Sequence, residues 1–329
     1  MSASRADTPL LAVEDLSVAF RSGGRAVQAL DRVSFAVAPG ETVAIVGESG
    51  SGKTVTALAA LRLLPATGAQ IQSGAIRFHG EDVLAMDDAK LRAYRGARAA
   101  MIFQEPMTAL NPVLTIGEQV AEPLVLHRGL GWRAARMEAR ELLRRVRLSD
   151  PDALLAAYPH QLSGGMRQRV MIAQAIACRP ALLIADEPTT ALDVTVQAEI
   201  LALLRTLQRE LGMAVLLITH DLAVVAEFAA RTIVLYAGRV AETGPTARLL
   251  ERPRHPYTQG LLASTLELGR AHRGRIAEIP GTVKAVAQPE PVCHFAERCP
   301  RASDACRAER PALRSLAAEH HVACLRAEA

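Results

Sequence analysis

The sequence predicts an α/β fold: a mostly parallel sheet with helices on both faces, a helical insertion, and a small C-terminal extension. Three observations predict it. Short apolar runs alternate with helix-length stretches before and after a long helical middle. A glycine-rich loop, Gly47-Glu48-Ser49-Gly50-Ser51-Gly52-Lys53-Thr54, stands between one apolar run and a helix-forming stretch. Half of the 329 residues are hydrophobic, so a large core is available; with only 3% aromatics it must be built from Ala, Leu, Val and Ile.

In chain order, a strand over 10–20 ends at the turn signal Arg21-Ser22-Gly23-Gly24, and a second over 33–37 ends at Pro39-Gly40. A buried strand over 42–46 feeds the glycine-rich loop, and a helix over 55–64 follows. Residues 75–78 form a short strand closed by His79-Gly80, and 101–104 a buried strand end. From 118 to 179 the pattern is helical, most clearly over 132–146 and over 166–178, where Pro180 stops it. Alternation then returns: strand 182–185, helix 195–211, strand 215–219, helix 222–228, and strands 232–236 and 240–243 around Ala237-Gly238. The composition shifts at Pro253, and Pro256, Pro280, Pro289 and Pro291 punctuate the extension.

Composition excludes several classes. A formal charge of +4 with dispersed Arg is too mild to imply nucleic acid. No uncharged apolar stretch is long enough to span a bilayer, and residues 1–9 lack the layout of a signal peptide. A soluble, cytoplasmic protein is expected.

The loop at 47–54 fits the phosphate-binding pattern G-x-x-x-x-G-K-[ST] at every fixed position. Glycines let backbone N–H groups turn around phosphate oxygens, and the following helix N-terminus adds partial positive charge. Lys53 then reaches the terminal phosphates and the Thr54 hydroxyl ligates Mg²⁺. An ordinary Gly/Ser turn is the alternative, which the register and flanks disfavour. The site needs a carboxylate for the metal and a group to activate water. Leu182-Leu183-Ile184-Ala185-Asp186-Glu187 supplies both at the C-terminal end of an apolar strand: Asp186 for Mg²⁺, Glu187 as general base. By itself this hexapeptide reads equally as a strand ending in an exposed acidic turn.

With these residues the chain resembles the ATP-binding subunits of ABC transporters, from roughly residue 10 to 245. Leu162-Ser163-Gly164-Gly165-Met166 is similar to the family signature, with Met166 where many members carry Gln. Gln104 in Phe103-Gln104-Glu105-Pro106 matches the Q-loop, Ala191-Leu192-Asp193 the D-loop, and His220 the switch histidine. The resemblance implies a P-loop NTPase (RecA-like) fold with an antiparallel β subdomain. It places an ATP-binding domain at 8–252, with a helical subdomain at about 105–178, and the extension at 253–329. Implied roles follow. Gln104 joins Thr54 and Asp186 at the metal, contacts water and couples to a partner; His220 senses the γ-phosphate. Ser163, Gly164 and Gly165 form a second anion site at a helix N-terminus, capping the ATP of another subunit in a head-to-tail dimer. Asp193 contacts that subunit, caps the helix after it, or both; Phe20 stacks on adenine or is a core Phe on a strand.

Residues 104–112, 158–169 and 254–262 resemble the dipeptide/oligopeptide importer branch, which includes nickel importers. That branch implies two transmembrane permeases, an extracytoplasmic peptide-binding protein, a second and often distinct ATPase subunit, and a peripheral place on the cytoplasmic side of the membrane. The cargo is a peptide, with nickel or another small solute as alternative. A soluble ATPase acting on ribosomes or DNA is disfavoured by the single ATPase domain, the lack of heptads and the lack of a Lys-rich tail.

Four of the five cysteines lie in the extension: Cys293, Cys299, Cys306 and Cys324, separated by five, six and seventeen residues. Four thiols are a complete set for zinc or an iron–sulfur cluster. No tight C-x₂₋₄-C knuckle is present, and Pro300 follows Cys299, which suits a [4Fe-4S] cluster better than Zn²⁺; importers resembling this chain can carry one. His294, His320 and His321 are possible substitutes, and four reduced thiols in a small core is the plain alternative.

Overall fold

The computed structural model describes residues 8–22, 25–190, 192–264, 279–283 and 291–327. Ala191 of the expected D-loop lies outside them. The chain divides into two compact units, one of Met1–Val37, Thr42–Leu84 and Ile218–Ala329, the other of Ala38–Glu41 and Ala85–Leu217.

The first unit holds two sheets. Four antiparallel strands run in the order Arg25–Val37, Leu11–Ser22, Ala69–Phe78 and Glu81–Asp82. Register shifts after Val13, Leu16 and Val18, with positive φ at Asp15 and Arg32, twist this sheet. Arg25–Val37 and Ala69–Phe78 begin earlier than the apolar pattern predicts, because backbone pairing carries on through polar residues such as Gln28 and Gln70. In the other sheet Thr42–Val46 lies parallel to Arg231–Tyr236, in register Val43 to Arg231. Arg239–Pro245 returns antiparallel through the two-residue turn Ala237-Gly238, both at positive φ as a primed hairpin turn demands.

The extension completes this second sheet. The strand His320–Val322 pairs antiparallel with Arg239–Pro245, and Arg314–Ala317 pairs with it in turn. Phe295 packs edge-on against Tyr236 and tilted against Tyr257, in a core shared with Val46, Val225 and Leu249. Asp31, on the strand Arg25–Val37, accepts two hydrogen bonds from Arg239, at 2.8 and 2.6 Å, and one from Arg310 at 3.4 Å. Glu242 is fully buried and accepts from His320 Nε2, Arg254 N and His255 N at 2.7, 2.8 and 2.9 Å. A short segment that could not build a core alone is therefore held by the sheet it joins.

In the second unit three strands run in the order Ala214–Ile218, Leu182–Asp186 and Ala99–Ile102, the last two parallel. The strand near Gln104 thus ends two residues earlier than expected, leaving Gln104 in the following loop. The helical stretch is five segments, among them Ile116–Arg128, Trp132–Arg145 and Gly164–Ile176. Thr115 and Glu118 form a capping box on the first, which continues through Pro123. Among the described residues no helix is long and apolar enough to cross a membrane.

Candidate active site

In the first unit the fully buried strand Thr42–Val46 delivers the chain into the phosphate loop, and the helix Lys53–Ala60 leaves it. Gly52 sits at φ 103°, where a Cβ would approach the Ala29 carbonyl oxygen to 2.8 Å; a Cβ on Gly47 would stand 2.3 Å from the Leu235 oxygen. The loop is thereby wedged against the strands on both sides, and Gly238 N–H donates to the Ser51 carbonyl at 3.0 Å. Lys53 is buried and bends over the loop, donating from Nζ to the carbonyls of Gly47 at 2.8 Å and Glu48 at 3.0 Å. Ser51 is fully buried and its Oγ has no hydrogen-bond partner among the described residues. A glycine cradle, a buried cation and an orphaned hydroxyl suit a phosphate group. Thr54 is exposed at the head of the helix, where a hydroxyl can reach a metal beside the phosphates. Ser49 and Gly50 form the outer curve, and Gly50 at φ 78° has open space around it.

Glu48 differs from its neighbours in the loop. Its N–H donates to Tyr257 Oη at 2.8 Å, and its carboxylate receives two hydrogen bonds from Arg298. His220 is exposed just after Thr219, whose Oγ1 accepts from Asp221 N–H at 3.0 Å, while Asp221 caps the helix Leu222–Phe228. Phe20 is half-buried mid-sheet, opposite Val27 on one side and Ala69 on the other.

In the second unit Asp186 is buried at the end of Leu182–Asp186. Glu187 follows in the left-handed region at φ 46°, which is costly for a side chain with a Cβ and re-aims it sharply. Two donors hold its Oε2: Gln104 Nε2 at 3.2 Å and Thr190 Oγ1 at 2.7 Å. Gln104 and Glu187, which the sequence singles out separately, are thus brought together. Thr190 went unrecognised, since a Thr three residues after an acid is a common turn pattern. Ser163 caps Gly164–Ile176 by accepting from Met166 N–H at 3.3 Å, so Gly164 and Gly165 open that helix as expected. Asp193 caps Val194–Leu211, accepting from Val196 N–H at 2.9 Å.

Cys293, Cys299, Cys306 and Cys324 line one small cavity of about 10 Å³, with Phe295 and Leu325 among its walls, and all four are free thiols. That is room for about one water. Burial pushes the Cys293 and Cys299 thiols up. Burial also acts upward on Cys306, but hydrogen bonds from Ser303 and the charges of Arg326 and Arg307 leave it lowered. Among the described residues no group of three or more His, Cys, Asp or Glu is placed to hold a metal ion. The expected iron–sulfur or Zn²⁺ site at these four cysteines therefore finds no support in the geometry. Of the possible substitutes, His320 is engaged by Glu242.

Known proteins match this arrangement. A family model described as ABC transporter matches residues 30–190, and one described as oligopeptide/dipeptide transporter, C-terminal region, matches 241–306. A probable peptide ABC transporter ATP-binding protein, y4tR, of Sinorhizobium fredii (strain NBRC 101917 / NGR234) is 49% identical over 317 residues, 96% of this chain and 95% of the relative. A putative peptide import ATP-binding protein of Brucella abortus (strain 2308) is 49% identical over 328 residues, 97% of each. Among solved structures, the ATP-binding cassette MJ0796, a dimer in a post-hydrolysis state bound to ADP and Pi, matches with TM-score 0.64 and 31% identity, over 72% of this chain and 98% of that one.

Proposed function

The chain belongs to the ABC transporter family, and from that premise we propose that it is the ATPase subunit energising import of di- or oligopeptides through a membrane complex. One observation carries the cargo class: near-full-length similarity to peptide-import proteins, including the C-terminal region that bears the oligopeptide/dipeptide description. The ATPase activity itself follows from family membership.

In this reading Gly47 to Gly52 wrap the β- and γ-phosphates with backbone N–H groups, and Lys53 supplies the cation. Thr54, Asp186 and Gln104 would hold Mg²⁺, and a metal there would neutralise charge on the phosphates. Glu187 takes the proton of the attacking water; its left-handed backbone and its bonds to Gln104 and Thr190 fix the carboxylate for that task. His220 contacts the γ-phosphate, and Phe20 packs on the adenine. Ser163, Gly164 and Gly165, with Asp193, meet the ATP and surface of a second ATPase subunit; the dimeric state of the MJ0796 cassette supports this pairing.

The partners proposed are two permeases, received by the helical segments within 105–178, a related ATPase subunit and an extracytoplasmic peptide-binding protein, with the chain peripheral on the cytoplasmic face. Affinity purification from the native host should recover permeases, and vesicles containing that complex should accumulate peptide only with ATP. Recovery of ribosomes instead of permeases would refute the importer reading, and uptake of nickel but not peptide would reassign the cargo. The further reading that the four cysteines carry a [4Fe-4S] cluster or Zn²⁺ rests on their number and spacing in the sequence alone. Iron, sulfide and zinc analysis of anaerobically purified protein decides it.

A further inference from the structure

We propose that Arg298, in the C-terminal extension, is a positioning residue for ATP: it fixes Glu48 of the phosphate loop and cancels the charge that Glu48 would present to the nucleotide. The inference rests on the reading that residues 47–54 bind ATP.

Arg298 is only 7% exposed, yet every nitrogen of its guanidinium is engaged. Nη1 donates to Glu48 Oε2 at 2.6 Å and Nη2 to Glu48 Oε1 at 2.9 Å, a two-pronged grip on one carboxylate. Nε donates to the Pro280 carbonyl at 2.7 Å, and Nη2 also reaches the carbonyls of Gly281 and Ile279 at 3.2 and 3.3 Å. The Tyr236 hydroxyl lies 3.4 Å from Nη1, and the guanidinium stands 5.8 Å from that ring's centre. The fork is thus anchored from behind, and its geometry toward Glu48 is set before any nucleotide arrives.

The object of the grip is the second residue of the phosphate loop. Tyr257 accepts the Glu48 N–H while Arg298 takes its carboxylate, so two residues of the extension hold one loop residue at both ends. Glu48 adjoins Gly47, and its carbonyl is one of the two that Lys53 Nζ bonds. An uncompensated carboxylate at this place would repel a polyphosphate anion, and a released Glu48 would loosen the loop that Lys53 spans. A guanidinium stays charged at any working pH, so this compensation is permanent.

The test uses the full chain in its transporter complex, with KM and kcat for ATP and affinity for a fluorescent ATP analogue. Arg298→Gln should raise KM about tenfold with kcat within about twofold, because nucleotide binding is lost rather than the chemical step. Glu48→Gln combined with Arg298→Gln should recover most of that loss, since removing the stranded charge removes the repulsion. Arg298→Lys keeps the charge without the fork, and should raise KM about threefold. KM within twofold of wild type in both Arg298 variants overturns the proposal; so does a folded double variant as impaired as Arg298→Gln alone. Lys53→Ala runs beside them. If it too binds ATP normally, the nucleotide-site reading itself has failed.

Discussion

Gln104 and Glu187 are separated by 83 residues and joined by a 3.2 Å hydrogen bond from Nε2 to Oε2. Parallel pairing of Ala99–Ile102 with Leu182–Asp186 makes this possible, because both chains emerge at the same edge of the sheet. Thr190 adds a 2.7 Å bond to the same oxygen, so the orientation of this carboxylate is set from two directions.

Glu187→Gln removes the proposed base but keeps the size of the side chain. ATP turnover should fall at least about a hundredfold while nucleotide affinity stays within about threefold. Steady-state hydrolysis and equilibrium binding on one preparation settle this; turnover near wild type would remove Glu187 from its role.

Thr190→Val deletes one donor to Glu187 without changing shape much. Turnover should drop several-fold with KM for ATP unchanged, because only the aim of Glu187 is loosened. Equal losses from Thr190→Val and Thr190→Ser would show that the hydroxyl is irrelevant.

Glu242→Ala leaves three donors without their acceptor, the buried ones of His320 and His255 and the half-buried one of Arg254. A loss of about 3–5 kcal/mol is expected, read by urea unfolding, with the Arg314–Ala317 and His320–Val322 strands losing amide protection first. Protection of those amides equal to wild type would show that the sheet edge does not depend on this carboxylate.

Asp31 is buried; burial pushes its carboxyl up, but the hydrogen bond and charge of Arg239, with Arg310 and Arg32 nearby, leave it below the usual carboxylate value of 3.8. A lowered folded value means stability that is present above the unfolded value and lost as pH falls through the folded one. Asp31→Asn should therefore be clearly less stable than wild type at pH 7, and the gap should shrink as pH falls below about 5. Unfolding free energies measured at a series of pH values test this, and a pH-independent gap would contradict it.

Much of the site was legible because its signals are local. Thr42–Val46 and Leu222–Phe228 have the bounds that apolar pattern and capping residues predict, and the Gly47–Thr54 loop carries its chemistry in eight consecutive residues. Ser163 and Asp193 stand as caps where a polar residue precedes a helical run. The rest depends on distant partners. Nothing in Arg314-Ser315-Leu316-Ala317 or His320-His321-Val322 announces a strand, since these residues are extended only because an unpaired edge awaits them. Arg298 is one of many arginines in the extension, and its importance lies in a carboxylate 250 residues away.

The edge formed by Arg239–Pro245 is synthesised well before it is covered, by a strand that begins at His320. Between those moments the nascent chain presents open N–H and C=O groups next to an apolar core, the kind of edge that recruits other chains. A ribosome that stalls between these segments releases a polypeptide with every ATPase motif present and its sheet unfinished. Such a product is expected to aggregate more readily than the full chain, because the extension is what closes that edge.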